Sequence, residues 1–561
     1  MINKLKDLEK TYTLSKAAAI VGVFTLLSRV VGYLRDMLFA SRLGPGPILD
    51  TYYAAFRIPD FVFNLLILGT LSVAFIPVFT EVMIKDRKRA QTIASTVLNL
   101  SILIMASICL LLILFAVPLT KLIVPGFSGQ KFNDTVLLTR IFLISPIIFT
   151  SSSVFSSILN ANKKFLLVSL APILYNLGII GGLLVLYPRY GIVGWGFGVV
   201  AGALMHMLIQ VPSAIGHGFS WKPVIRLKDE AVRKIGKLFV PRIFGLDISN
   251  ISLLIATIIG STLAAGSISI FNLANNLQAV PLGVFAVSIA TASFPALSEM
   301  FAKHDEKGFL KMLSKAMVQI LFFLIPITIL MLLLRAYIVR LGFGRGQFDW
   351  NDTILTFSTL GVFSVSLFSQ GLTPLLARAF YARQNTKIPV IINAVTMLIN
   401  AGLAYQLSTH VYDVNFGIVG ITIGGVTGLA AAFSIASIFN ALALFIILRI
   451  KLSRSMPTQD YITLNEFDDS LFSSASRILV ASAAMGLTSY GVIYLIEPLV
   501  NTSTALGILI QSGLSASVGA IVFLVTATIL RLPEAQKIGK IFRKFFRFSR
   551  ASAVESAKIG Q

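Results

Sequence analysis

Apolar runs of about twenty residues recur from one end of the chain to the other. A helix of that length crosses the hydrocarbon core of a bilayer, which is about 30 Å thick. Charged residues make up only 13% of the sequence, whereas soluble proteins carry roughly 25%. The sequence therefore predicts an all-α integral membrane protein with about 14 transmembrane helices. The spans are expected near 15–42, 50–82, 91–117, 134–160, 166–187, 191–215, 239–262, 266–300, 317–336, 353–377, 389–407, 416–448, 478–496 and 503–530.

The chain carries a net charge of +23, and its basic residues are unevenly distributed. If the N-terminus is cytoplasmic, 35 of the 47 basic residues fall in cytoplasmic segments and eight fall outside. This bias is the positive-inside pattern of membrane proteins, so it predicts cytoplasmic N- and C-termini and no nucleic-acid partner. The tail 531–561 mixes basic residues with phenylalanines, which is typical of an amphipathic helix lying on anionic lipid or of a solvated tail.

Cysteine and histidine are too sparse for a metal centre. Cys109 is the single cysteine, and the four histidines are scattered, so neither a disulfide framework nor a cysteine metal site is predicted. We expect no metal and no cofactor.

Two short stretches recur at nearly the same spacing. Ala74–Glu81 resembles Ala292–Glu299 at an offset of 218, and Gly191–Gly194 recurs as Gly417–Gly420 at an offset of 226. The repeat predicts two six-helix lobes related by a pseudo-two-fold axis along the membrane normal, with a cleft near the midplane and two extra C-terminal helices. The predicted parts are an N-terminal lobe 1–217, a C-terminal lobe 218–450, a cytoplasmic loop 451–477, helices 13 and 14 at 478–530 and the tail 531–561.

The polar residues of the first two helices fall on single faces. Within Thr25–Asp36, every polar or charged residue lies in an arc of about 120° at 100° per residue. In the second helix, Asp50, Tyr53, Arg57, Asp60 and Asn64 share an arc of about 80°, although Pro59 is expected to bend that helix.

Arg29, Arg35 and Arg57 would each cost about 2.5–3.5 kcal/mol at the centre of a lipid-facing helix. We therefore expect them to face a watery cavity, where guanidinium groups suit a phosphate. The alternative is structural: Arg29 pairs with Asp36, Arg57 pairs with Asp60 or Asp50, and Arg35 has no partner on its own helix.

Four motifs carry a family resemblance: Ser28–Asp36, Asp50–Pro59, Ala292–Glu299 and Arg378–Pro389. They resemble the MurJ (MVF) family of lipid II flippases, within the larger multidrug/oligosaccharidyl-lipid/polysaccharide exporter superfamily. The resemblance implies a non-enzymatic transporter of the bacterial cytoplasmic membrane, functional as a monomer. Its substrate would be lipid II, the undecaprenyl-pyrophosphate-linked peptidoglycan precursor, moved from the inner to the outer leaflet by alternating access for cell-wall synthesis.

The resemblance also implies roles for individual residues. Arg29 and Arg35 would hold the pyrophosphate, and Asp36, Asp50, Arg57 and Asp60 would belong to the cavity or its gate. Helices 13 and 14 (478–530) would line a groove for the prenyl tail.

The sequence departs from the family at the eighth helix. Many members carry an arginine there, whereas this chain reads Leu273-Ala274-Asn275-Asn276. Asn272 and Asn276 are expected to contact the sugar or peptide of the substrate instead. Arg242 and Asp247 are candidates for restoring the missing charge, although Arg242 is more simply explained as a residue of the cytoplasmic headgroup layer.

A sodium ion reported in some family members would need oxygen ligands from the seventh, eleventh and twelfth helices. The candidates here are Asp247, Asn250, Asn393 and Asn400. Paired acidic residues are not evident among them, so no metal is predicted.

Several alternatives stay open at this point. The chain is also compatible with a flippase for another undecaprenyl-pyrophosphate-linked glycan or with a multidrug-type exporter of the same superfamily. A membrane enzyme would need a cluster of carboxylates or a metal, and the acidic pair Asp468–Asp469 lies in a polar segment. A non-transporting scaffold is the remaining alternative.

Overall fold

A computed structural model describes residues 14–66, 71–243, 248–416, 419–455 and 461–537. Its α-helices in chain order are α1 Leu14–Leu43, α2 Pro47–Ala55, α3 Arg57–Leu66, α4 Leu71–Lys85, α5 Arg87–Leu114, α6 Ala116–Ile123, α7 Gly129–Phe142, α8 Ile144–Ala161, α9 Leu166–Gly181, α10 Tyr187–Leu208, α11 Val211–Gly216, α12 Glu230–Ile243, α13 Ile248–Gly260, α14 Ser267–Pro281, α15 Ser288–Ala302, α16 Glu306–Gly342, α17 Trp350–Val365, α18 Leu367–Ala382, α19 Lys387–Thr409, α20 Gly425–Ser455, α21 Tyr461–Ile496 and α22 Ala505–Ile529.

The remaining regular elements are short. Single π-helical turns at Gly182–Leu186 and Leu282–Val287 join α9 to α10 and α14 to α15, and a 3-10 turn Glu497–Leu499 follows α21. Strands β1 Tyr412–Phe416 and β2 Val419–Ile423 form an antiparallel hairpin. Apart from this hairpin, the described residues confirm the predicted all-α class.

Nine helical stretches among the described residues are long and apolar enough to span a bilayer, and the bent pair α17–α18 would make a tenth. One stretch, Leu166–Gly216, has 51 residues and would extend about 77 Å as a single helix, more than twice the hydrocarbon core. Gly191, at φ 59°, interrupts it, so it accounts for two predicted spans. The predicted spans 50–82, 239–262 and 416–448 include residues outside the described ranges, and the count of fourteen stays a prediction.

The second predicted span is broken where Pro59 requires it. A proline has no N–H to donate to the carbonyl four residues earlier and its ring crowds that carbonyl. For Pro59 that residue is Ala55, where α2 ends, and α3 begins at Arg57. The helix is interrupted at Phe56, one turn before the proline, and the bend itself stays a prediction.

Contacts within the chain group the residues into two compact units. Unit 1 contains Met1–Leu273, Arg345–Asp352 and Ser408–His410, and unit 2 contains Ala274–Gly344, Thr353–Leu407 and Val411–Gln561. The predicted lobes 1–217 and 218–450 are defined by the sequence repeat and remain a prediction.

An aromatic cluster anchors the first helices of unit 1. Trp195 on α10 is fully buried, stacks on Tyr52 of α2 at 4.1 Å, and meets Phe39 of α1 edge-on at 4.9 Å. Behind it, α9 and α10 approach closely through glycines, because a Cβ at Gly178 would lie 2.3 Å from the Cα of Gly202. Small residues permit such close packing between membrane helices, and α9 also packs against α1.

Unit 2 is built around α16, which packs against α21. Helices cover most of the predicted loop 451–477, because α20 continues to Ser455 and α21 begins at Tyr461. The side chain of Arg449 donates to Asp468 at 2.6 Å, so this acidic residue belongs to an ion pair rather than to a fully solvated face.

The first sequence repeat has the same local structure in both copies. Pro77 lies inside α4 and Pro295 inside α15. Each copy ends in a glutamate paired with the lysine four residues later, Glu81 with Lys85 and Glu299 with Lys303. Gly417 and Ile418 of the second repeat lie outside the described residues.

Candidate substrate-binding site

The arginine–aspartate motif of α1 forms a buried polar centre in unit 1. Nε and Nη2 of Arg35 donate to Oδ1 of Asp36 at 3.0 and 2.8 Å, and Nη1 donates to Oδ1 of Asn176 at 3.0 Å. Asp36 is 3% exposed. The expectation that Arg35 would have no partner on its own helix is therefore wrong, because its side chain folds back onto the next residue.

Arg29 lies on α1 two turns before this pair and is half-buried. Since α1 is helical throughout Thr25–Asp36, the polar residues of that stretch share one face as predicted.

Arg57, at the start of α3, contacts two later helices of unit 1. Its Nε donates to Oγ1 of Thr257 at 2.7 Å, and its Nη2 donates to Oδ1 of Asn272 at 2.6 Å. Asn272 also donates to the carbonyl of Ile268 one turn earlier. The structure thus brings together two residues of the predicted site, and the Asn272 amide oxygen is occupied by a guanidinium.

Asp60 and Asn64 continue the polar face along α3. Asp60 is exposed, and within the described part of the chain it has no ion pair with Arg57. Asn64 donates to the amide oxygen of Asn250 at 3.2 Å. The structural alternative in which Arg57 pairs with Asp60 or Asp50 is wrong, because Arg57 binds neutral oxygens.

Asp50 occupies a different environment, at the N-terminus of α14. Its Oδ1 accepts hydrogen bonds from the backbone N (2.9 Å) and the hydroxyl (2.7 Å) of Ser269. Its Oδ2 accepts from the backbone N of Gly266 (2.7 Å) and from Nζ of Lys131 (2.9 Å). The carboxylate is 1% exposed and satisfies N–H groups that the helix leaves unpaired. In this arrangement, Asp50 holds helices together.

A loop of unit 1 packs against the end of α1. The backbone N of Gln347 donates to the carbonyl of Ser41 at 2.9 Å. Gly346, at φ +68°, lies so near that a Cβ there would be 2.1 Å from the same carbonyl oxygen. A side chain at this position is therefore excluded.

Asn276 is half-buried on α14 and belongs to unit 2. Beside it in unit 2, Gln278 donates to Asn275 at 3.1 Å and accepts from Gln370 at 3.0 Å. This part of α14 is thus lined by amides, as the sequence indicated. The side chain of Arg242 and all of Asp247 lie outside the described residues.

Sequence reasoning missed four partners of the predicted residues: Asn176, Lys131, Thr257 and Ser269. Asn176 was detectable in principle, because it is a lone amide in the apolar run Leu166–Gly181, and a polar group in that setting needs a partner. Nothing local in the sequence links the other three to Asp50 or Arg57.

The sequence profile of the family described as "Lipid II flippase MurJ" matches residues 39–511. The chain is 31% identical to the probable lipid II flippase MurJ of Haemophilus influenzae over 75% of this chain and 83% of that protein. It is 31% identical to the corresponding protein of Vibrio cholerae over 77% and 83%.

Solved structures agree with the sequence comparison. A lipid II flippase MurJ in an inward closed conformation matches with a TM-score of 0.72 and 26% identity, covering 91% of this chain and 98% of that one. An inward-facing multidrug transporter of the MATE family matches with a TM-score of 0.60 at 15% identity, covering 78% and 98%, which shows a shared fold. With its apolar helices, the chain is a multi-pass protein of the bacterial cytoplasmic membrane, and it belongs to the MurJ family of lipid II flippases.

Proposed function

We propose that this protein translocates lipid II from the inner to the outer leaflet of the cytoplasmic membrane, by alternating access and without covalent chemistry. The observation that carries the proposal is the anchoring of Arg35 and Arg57 by buried or half-buried acceptors. A guanidinium has five N–H donors. Arg35 donates three hydrogen bonds to protein oxygens and Arg57 donates two, so each guanidinium keeps N–H groups that can bind a ligand.

The ligand that these donors suit is a pyrophosphate. Guanidinium groups bind phosphate oxygens through paired hydrogen bonds, which neutral amides do not match in strength. We assign Arg29, Arg35 and Arg57 to the pyrophosphate and Asp36 to holding Arg35 in orientation. Asp60 would line the cavity, and Asp50 would keep the gate closed through its bonds to α14.

Complementation tests this proposal. A strain depleted of its own flippase should grow and expose lipid II on its surface when it expresses this protein. Arg29→Ala should remove both readouts, whereas Lys88→Ala, a matched loss of one exposed cationic side chain on α5, should not. Correctly inserted wild-type protein that leaves lipid II unexposed would refute the function.

The amides of α14 favour a second candidate, a flippase for another undecaprenyl-pyrophosphate-linked glycan. Asn276 stands where the family usually carries an arginine, and its neighbours Asn275 and Gln278 are also neutral. If lipid II is the substrate, Asn276→Arg should retain growth and exposed lipid II. An inserted but inactive Asn276→Arg protein would favour a different headgroup.

We further propose cytoplasmic termini, a prenyl-tail groove along 478–530 and a monomeric working state. Orientation follows from the distribution of basic residues. Lys88 and Gln347 are both exposed. In intact cells, a membrane-impermeant thiol reagent should label a cysteine introduced at Gln347 and should not label one introduced at Lys88. Equal labelling would overturn the orientation.

A further inference from the structure

Helix α16 begins with a row of lysines that lies outside the apolar part of the helix. It has 37 residues, or about 55 Å, which exceeds the hydrocarbon core by about 25 Å. Lys307, Lys311 and Lys315 recur every fourth residue over its first turns, and the next charged residue is Arg335. Helical spacing places the three ammonium groups on one face, at the level of lipid headgroups.

This row lines one wall of a cavity of about 900 Å³ in unit 2. The second wall comes from α21 and includes Glu466, Ser470 and Ser474. The third comes from the segment after α22, with Glu534 and Lys537. Four lysines face two glutamates, so the cavity carries an excess of positive charge.

Several polar groups of the cavity have no partner among the described residues. Lys311, Lys315 and Lys537 are exposed and form no ion pair there. Glu534 is 8% exposed, and its Oε2 is buried without a hydrogen bond. A buried acceptor left unsatisfied costs free energy, so an occupant that donates a hydrogen bond would stabilise it. Beneath the lysines, Leu310 and Phe467 form an apolar floor.

We propose that this cavity binds the headgroup of an anionic phospholipid, of the phosphatidylglycerol class, from the surrounding leaflet. Ammonium groups attract phosphate as point charges without the directional fork of arginine, and basic cavities between membrane helices are suited to such headgroups. The lysine ammonium groups bind the phosphodiester, and a hydroxyl of the headgroup glycerol donates a hydrogen bond to Glu534. The glycerol backbone of the lipid contacts the apolar floor.

The charge of the C-terminal tail excludes this part of the chain as the occupant of the cavity. Residues 538–561 contain six basic residues and one acidic residue, Glu555. This tail would be repelled by the lysines rather than held by them. A zwitterionic phospholipid is disfavoured by the net positive charge of the cavity, and a free phosphate has no lipid backbone to contact the apolar residues Leu310 and Phe467.

Lipid titration of the purified, delipidated full-length protein tests the proposal, with native mass spectrometry as the readout. Phosphatidylglycerol should bind more tightly than phosphatidylethanolamine. The double variant Lys311→Gln, Lys315→Gln should weaken phosphatidylglycerol binding roughly 25-fold, at about fivefold for each lysine. The matched control Lys88→Gln, Lys303→Gln removes the same charge outside the cavity and should leave the affinity unchanged.

Two further arms identify the ligand. Glu534→Leu should abolish the preference for phosphatidylglycerol over phosphatidic acid, which has no headgroup hydroxyl on a glycerol. Ser470→Glu, which adds a negative charge on an exposed position, should weaken phosphatidylglycerol binding without touching a lysine. Equal losses in the cavity and control pairs, equal binding of phosphatidylethanolamine, or displacement by inorganic phosphate at lipid-like concentrations would each overturn the proposal.

Discussion

Replacing Asp50 by asparagine tests the bonds between α2 and the N-terminus of α14. Each carboxylate oxygen of Asp50 accepts two hydrogen bonds, whereas the amide nitrogen of asparagine accepts none. Either orientation of the amide therefore leaves at least one backbone N–H unpaired, that of Gly266 or that of Ser269. Hydrogen bonds to charged groups contribute about 1.5–3 kcal/mol each, and removing one partner of a buried ion pair costs about 3–5 kcal/mol. We expect Asp50→Asn to lower the free energy of unfolding by about 3–5 kcal/mol.

The contribution of Lys131 is separable. Its side chain is 21% exposed, against 2% for Asp50, and its ammonium also lies 3.8 Å from the ring centre of Phe127. Lys131→Gln should therefore cost less than Asp50→Asn, and a double-mutant cycle should give a coupling energy of about 1–3 kcal/mol.

The assay is denaturant-induced unfolding in a mild detergent. The control is Asp134→Asn, on helix α7, which also carries Lys131. Asp134 is half-buried and accepts a hydrogen bond from Gln130 one turn earlier. Unchanged stability of Asp50→Asn, or the absence of coupling to Lys131, would contradict the role assigned to this carboxylate.

Two further predictions concern other contacts of unit 1. Gly178→Ala should destabilise the protein by about 1–3 kcal/mol, because its Cβ would overlap Gly202. Gly181→Ala, whose Cβ would meet nothing within 4 Å, should not destabilise it. Thermal unfolding of the two variants measures the difference, and equal stabilities would refute the close approach. The hydrogen bond from Arg89 lowers the pKa of Asp229 in the folded protein. The ionised Asp229 therefore stabilises the fold above the ordinary aspartate pKa of about 3.9. This stabilisation is lost as the pH falls through the lower pKa of the folded state. Limited proteolysis of 218–238 should increase in that acidic range for wild type, while Asp229→Asn should be pH-independent there.

The sequence predicted the helical class because hydrophobic length is a local property. It also located the break in the second span, since the effect of Pro59 is confined to one turn. The polarity of residues 451–477 predicted a loop. In the structure α20 continues to Ser455 and α21 begins at Tyr461, because a helix can extend beyond its apolar residues. The β1–β2 hairpin was not predicted, because β2 lies within the apolar run 416–448 that was assigned to a helix.

The substrate-binding role of the candidate residues stays a prediction, and the partners of several of them were not predicted. Helical periodicity separates neighbours by 100°, so it favoured Arg29 as the partner of Asp36 and overlooked the reach of the Arg35 side chain back to the adjacent residue. The partners of Asp50 lie 81 to 219 residues away along the chain. Such contacts depend on tertiary packing, which a single sequence does not encode as a visible pattern.

The rate of lipid II translocation in proteoliposomes containing Arg35 variants tests the central claim most directly. Arg35→Gln keeps a polar side chain but loses the charge, and Arg35→Lys keeps the charge but loses the fork that binds phosphate bidentately. We predict no measurable translocation for Arg35→Gln and partial translocation for Arg35→Lys, with both proteins folded and inserted. Wild-type translocation rates for Arg35→Gln would contradict the account.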